Sequence, residues 1–340
     1  MNLSNHAKVF ISLFITIFLL FSLELLFRQL NIPFKLGITN MKGMFESGVF
    51  MRDRLLLWRF TPGKSYDKIS PHYKGILRIN SMGFREREIM KDKKTGIYRI
   101  FCVGGSNTCG EGVFESERFS NILERKLKEA FKSPSFEVYN FGMPAYSTLQ
   151  ILRLLKNELL DFNPDLIIVS PEQADGLALS NETPLPDSEI KILPEPIFKL
   201  AGFLERRSFI YRFVRNFSLN MFWKFKDKAG TTRKHYFVRV PPYDRIINLN
   251  TMADICHKNS IEIVYMDTLA VSNGKVSNID ADYNLHPNIS ITSLFKDGVQ
   301  RNLFLDEGHI NAKGHALVAD AIFKYLEILF TEKNINIQKI

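Results

Sequence analysis

Several signals are missing from this 340-residue chain, and each absence narrows the reading. Its three cysteines, Cys102, Cys109 and Cys256, are an odd number at no metal-ligand spacing, so they indicate neither a metal site nor a compartment. Gly104, Gly105 and Gly110 do not spell GxGxxG, and the Lys-Ser/Thr pair of a phosphate-binding loop does not follow them, which argues against a nucleotide site. No nucleic-acid-binding motif accompanies the basic clusters Lys91, Lys93, Lys94 and Arg206, Arg207, Arg212, Arg215, so these read as solvated faces and no nucleic-acid partner is expected. Finally, no small-residue cleavage site follows the apolar N-terminal run, because Leu25, Leu26, Phe27, Arg28 and Gln29 are bulky.

That run is the clearest feature present. Residues Val9 to Phe27 are almost continuously apolar, with Glu24 the only charge, and a helix of this length spans roughly 30 Å of hydrocarbon. It is read as a retained, single-pass transmembrane anchor, residues 1–30. Positive residues flank it on both sides, Lys8 before and Arg28, Lys35 and Lys42 after, so the positive-inside count does not orient it. A formal net charge of +9 is compatible with an anionic lipid surface or an acidic polymer.

With 45% hydrophobic and 24% charged residues, the remainder is ordinary globular material. Residues 31–95 carry turn signals and little periodicity, and form a connecting segment. From Tyr98 the pattern alternates: a strand at Ile100–Val103, a helix from about Ser116, a strand at Phe136–Tyr139, a helix over Thr148–Leu160 and a strand at Asp165–Val169. A helix over Leu249–Lys258, a strand at Ile261–Met266 and a last helix from Ala312 to Phe330 complete it. Strands alternating with helices predict a parallel sheet covered on both faces, with the ligand at the carboxyl ends of its strands. The domain is placed at 96–335, with an insertion at about 171–244. The insertion either packs on the core, caps the site, or lies on a membrane surface through its aromatic and basic part, Phe203 to Phe225.

The stretch Tyr98 to Gly112, YRIFCVGGSNTCGEG, ends a buried strand at two glycines and a serine. Ser106 therefore sits in a strand-to-helix turn, either as a structural cap or as a nucleophile. Asp306 and His309, three apart in the loop before the last helix, are the tie-breaker. A serine hydroxyl becomes a good nucleophile only when a neutral imidazole accepts its proton, and a carboxylate on the far ring nitrogen orients that imidazole.

Gly104-Gly105-Ser106-Asn107-Thr108, Asn140-Phe141-Gly142, Asp306-Glu307-Gly308-His309 and the lead-in Asn80 to Arg85 together resemble the SGNH hydrolase family, the GDSL-like lipases and acylhydrolases, over roughly 79–329. The resemblance implies a three-layer α/β/α sandwich of flavodoxin-like type. It makes Ser106 the nucleophile, His309 the base, Asp306 its orienting acid, and the N–H groups of Ser106 and Gly142 oxyanion donors. The family's Gly-x-Asn-Asp block is replaced by Ser170-Pro171-Glu172-Gln173-Ala174-Asp175; by register Ala174 takes the Asn position, and Gln173 is the residue left to supply an amide. No metal or organic cofactor is implied. The expected substrate is an acyl ester, such as an O-acetyl ester, of an envelope glycan or lipid on the extracytoplasmic side. A ligand-binding member without turnover and a membrane-anchored assembly factor are the alternatives. Nothing in the sequence indicates the oligomeric state.

Overall fold

The computed structural model describes residues 4–29, 47–67, 74–133, 135–177, 185–211, 213–215, 217–218, 221, 238–267, 269–272, 275–278, 288–295, 301–306, 308–333 and 338–339. They belong to two compact units. One comprises Met1–Gly43, Leu179–Pro184 and Lys191–Tyr236, the other Met44–Ala178, Leu185–Ile190 and Phe237–Ile340. Phe225 and Glu307, noted in the sequence, lie outside the described residues.

The first unit begins with α1 (Asn5–Gln29), a 25-residue helix whose most apolar 18 residues have a mean hydropathy of 2.5, long and apolar enough to cross a membrane. In the second unit, β1 (Phe50–Asp53) and β2 (Leu57–Phe60) form an antiparallel hairpin that buries Phe50, Trp58 and Phe60. The short strands β3 (Ser65–Tyr66) and β4 (Leu77–Arg78) pair after it. Residues 47–67 and 74–95 also contribute to the interior of this unit, where Arg85 and Glu86 are buried.

The central sheet follows, with β5 (Ile97–Gly104) leading into the single turn α2 (Ser106–Cys109), then α3 (Phe119–Ala130). A short strand β6 (Phe131–Ser133) precedes β7 (Ser135–Gly142). Next come α4 (Thr148–Leu154), continued by a wider π turn at Leu155–Leu159, and β8 (Leu166–Ser170). The chain then enters the first unit, where α5 (Glu195–Arg207) lies, and returns through α6 (Pro242–Lys258) to β9 (Glu262–Tyr265) and the final helix α7 (Ala312–Glu332).

The four long strands run parallel in the order β7-β5-β8-β9, a flavodoxin-like arrangement. Alternate residues of β5 face opposite layers. Ile100 and Cys102 join Leu123 and Leu127 of α3 and Val318, Ile322 and Leu326 of α7 in one apolar layer. On the other face α4 packs against α6, burying Ile151, Leu154 and Met252. Strands buried on both faces need this continuous apolar character. Because β5 has a neighbour on each side and the connections diverge from it, the crevice opens at its carboxyl end, beside Gly104.

Candidate active site

The β5 strand ends at Gly104, in register with Gly142 of β7 and Ser170 of β8. Ser106 opens α2 at that rim. The turn can sit so low because Gly142 has no side chain: a Cβ there would collide with the backbone of Thr108 and Cys109. Behind α2, the buried Arg85 guanidinium donates to the carbonyls of Gly110 (2.6 Å) and Val113 (2.9 Å), closing off the end of the turn. Cys109 in the same turn is no rival nucleophile, since burial pushes its thiol up to about 12.

His309 arrives from the far end of the chain. Phe304 and Ile310 bridge in antiparallel fashion and the Leu305 N–H donates to the His309 carbonyl at 2.8 Å, which sets Asp306 and His309 side by side ahead of α7. Asp306 Oδ1 accepts the N–H groups of Gly308 (2.7 Å) and His309 (2.8 Å), which fixes the carboxylate at 2.9 Å from His309 Nδ1. His309 Nε2 lies 3.0 Å from Ser106 Oγ. Ser106, His309 and Asp306 are thus in one hydrogen-bonded line across 203 residues of sequence.

Asn107 sets that registration. Its Nδ2 donates to the Gly308 carbonyl at 2.8 Å and its Oδ1 accepts the Ile310 N–H at 3.0 Å, so it clasps the main chain on both sides of His309. The loop following α2 closes in as well. Gly112 adopts φ +79° and leaves no space for a Cβ against Leu305.

Two carboxylates complete the site, and neither was singled out from the sequence as part of it. Glu111 Oε2 stands 2.9 Å from His309 Nε2, on the same nitrogen that faces Ser106. Burial opposes charging the imidazole, but the hydrogen bonds and charges of Glu111 and then Asp306 outweigh it and raise its pKa to about 9. Asp306 moves the opposite way: burial would raise it, but the His309 hydrogen bond leads a set of contacts that hold it below its ordinary value. Glu172 lies directly under the turn. It accepts the N–H groups of Gly105 (3.0 Å), Asn107 (3.0 Å) and Thr108 (2.9 Å), and Ser106 Oγ donates to it at 3.3 Å. Burial raises its carboxyl above the ordinary range, against the pull of the Asn107 and Thr108 amides.

The amides expected from the sequence as oxyanion donors are placed differently from the Ser106, His309 and Asp306 side chains. Among the described residues the Ser106 N–H meets no acceptor. The Gly142 N–H instead donates to Asn140 Oδ1 at 2.9 Å, and the Gln173 amide donates to the Leu269 carbonyl at 2.8 Å. Both amides are therefore already donating to protein acceptors. Ala174 is buried and offers no polar group, and the following Asp175 accepts the Thr148 N–H (2.7 Å) and pairs with Arg245 (2.9 Å) inside the fold. His315 is buried against Phe119, and burial ahead of Arg118 and Arg85 lowers its pKa to about 3, so it stays neutral in the core.

The signals for the missed groups were faint. Glu172 is an acid two residues past a fully buried strand, and Glu111 stands between two glycines of positive φ. Neither identifies its partner without the topology.

Neither a family model nor a curated protein matches the chain. Solved structures similar to it are GDSL-family hydrolases and acylhydrolases. A mutant of an acetyl-xylooligosaccharide esterase from Geobacillus is 14% identical, covering 70% of this chain and 96% of that one at a TM-score of 0.42. An α/β hydrolase from the metagenome of Lake Arreo, Spain, is 12% identical over 70% of this chain and 98% of that one, at 0.41. A GDSL-like lipase from Bacteroides thetaiotaomicron is 11% identical over 68% and 88%, at 0.38.

Proposed function

We propose that the chain is a serine ester hydrolase or acyltransferase working through Ser106, His309 and Asp306. The observation that carries the proposal is the 3.0 Å approach of Ser106 Oγ to His309 Nε2, with the Asp306 carboxylate 2.9 Å from Nδ1. In the proposed reaction, Ser106 Oγ attacks the ester carbonyl while His309 Nε2 takes the hydroxyl proton. The tetrahedral oxyanion accepts the open Ser106 N–H. Collapse expels the alcohol, which receives the proton from His309, and leaves an acyl-serine. Water or a second hydroxyl, deprotonated by the same imidazole, then attacks the acyl carbon, and as the acyl–Oγ bond breaks the imidazole returns its proton to Ser106 Oγ. With one amide donor in place of several, turnover should be low, since each oxyanion donor is worth about a hundredfold to a thousandfold. The substrate proposed is an acyl ester, such as an O-acetyl ester, of an envelope glycan or lipid, reached by a single-pass protein held in the membrane through α1.

The direct test is to treat the folded chain with a fluorophosphonate at pH 9 and locate the adduct by mass spectrometry. Labelling of Ser106 that disappears in His309→Ala supports the enzyme; an unlabelled Ser106 in folded protein refutes it. One observation favours a second reading. Glu111 on His309 and Glu172 under Ser106 favour a site that holds its histidine charged and binds a ligand without turnover. That reading predicts no label at any pH from 6 to 10.

A further inference from the structure

Glu24 is the one charge in the apolar run of α1, and the proposed chemistry has no use for it. Within its own unit it has a structural task. Its carboxylate accepts the Ser208 hydroxyl (3.0 Å) and the N–H groups of Phe209 (2.9 Å) and Ile210 (3.0 Å), the opening amides of the helical residues that follow α5. One turn further along α1, Arg28 Nη2 donates to the Arg207 carbonyl at 2.8 Å, at the end of α5. Phe27 packs on Phe213 with ring centres 5.3 Å apart. One face of the last turn of α1 thus caps both helical segments where they meet, satisfying an orphan carbonyl and orphan amides together.

The segments held there are neither uniformly polar nor apolar. In α5 the residues Ile197, Leu200 and Phe203, spaced along one face, are 53%, 56% and 49% exposed, and Val214 and Phe217 beyond the junction are 54% and 56% exposed. Over 191–236 the sequence carries eleven Lys and Arg against three Asp and Glu, a net +8 of the chain's formal +9. Exposed apolar side chains interleaved with basic ones, tied to the end of an apolar helix of bilayer length, match what the boundary between headgroups and acyl chains selects.

We infer that α5 and the helical residues after Ser208 form an interfacial platform lying on an anionic leaflet at the carboxyl end of α1, with Ile197, Leu200, Phe203 and Phe217 inserted below the headgroups. The inference rests on α1 being the membrane anchor proposed above. A soluble acidic polymer would meet the positive charge but would leave the five exposed apolar side chains uncovered, and so fits less well.

The test uses the full chain in nanodiscs of phosphatidylcholine and phosphatidylglycerol at three to one, with single cysteines Phe18→Cys, Phe203→Cys, Phe217→Cys or Tyr243→Cys carrying an environment-sensitive fluorophore. The buried native cysteines are shielded from the reagent. Lipids with a nitroxide near the headgroup end of the acyl chain are expected to quench positions 203 and 217 at least twofold and leave 243 unchanged. If 18 responds to a nitroxide deep in the bilayer but 203 and 217 respond to none, the platform is refuted and the anchor stands. If 18 also fails to respond, the anchor has failed and the platform with it. A response at 203 and 217 that appears only on adding a soluble polyanion overturns the lipid assignment in favour of an acidic partner.

Discussion

Replacing Glu111 by Gln should move the pH at which Ser106 becomes reactive. In the proposed mechanism neutral His309 accepts the serine proton, yet Glu111 and Asp306 together raise the imidazole to about 9. At pH 7.5 only about 3% of the sites then hold the base in its working form. A charge-assisted hydrogen bond contributes roughly 1.5 to 3 kcal/mol, and one pKa unit corresponds to about 1.4 kcal/mol, so losing the Glu111 charge should lower His309 by one to two units. Taking about 1.5 units, half of the sites carry neutral His309 at pH 7.5, a rise of about fifteenfold. The assay is the second-order rate of fluorophosphonate labelling of Ser106 between pH 6 and 10, which needs no knowledge of the natural ester. The wild-type rate should climb with a midpoint near 9 and the Glu111→Gln rate with a midpoint near 7.5, the two converging within about twofold at pH 10. A wild-type midpoint near 6.5, or a Glu111→Gln profile superimposable on the wild type, would refute the claim that this carboxylate governs the base.

Other outcomes follow from the same contacts. A histidine whose pKa is raised by folding stabilises the native state fully below its unfolded value of about 6.5 and loses that contribution as pH rises through about 9. Denaturant titration should therefore show unfolding free energy falling by about 2 to 3 kcal/mol over this window, and by clearly less in Glu111→Gln. Gly142→Ala forces a methyl into the Thr108–Cys109 backbone and should lower stability by about 1 to 3 kcal/mol, slowing Ser106 labelling as α2 is pushed out. Asn107→Ala releases the main chain around His309 and should cut the labelling rate about tenfold to a hundredfold while the far-ultraviolet circular dichroism stays unchanged. Arg239→Met strips the partner from Asp187, a carboxylate with no exposed surface, 2.7 Å from the guanidinium; about 3 to 5 kcal/mol should be lost, seen as a fall of roughly ten degrees in Tm.

What the sequence reveals and what it hides divide along the range of the interactions concerned. The strands at Ile100–Val103 and Leu166–Val169 announce themselves because burial on both faces demands an unbroken apolar run, a property written in adjacent residues. Asp306 and His309 are equally legible, since the carboxylate reaches the imidazole through one local turn. Glu111 and Glu172 are not, because each acquires meaning only from a residue brought up by the topology: His309 for one, the amides of Gly105, Asn107 and Thr108 for the other. Gly142 shows a further limit. Its position in an Asn-Phe-Gly block suggested an amide donor, whereas the structure uses it for the absence of a side chain and closes its N–H with Asn140 two residues earlier. The helix read as Thr148–Leu160 keeps α-helical spacing only to Leu154 and widens into a π turn that no apolar periodicity signals.

The clasp made by Asn107 also determines how this site can change. It grips main-chain atoms of Gly308 and Ile310, not side chains, and does so from the residue next to Ser106. Serine and imidazole are therefore gauged against each other by a ruler one side chain long, whatever the intervening chain contains. Insertions or substitutions between β9 and Phe304 can accumulate without altering the reach of His309, provided the loop still presents those two backbone groups. A single change at Asn107 cannot be compensated in that way.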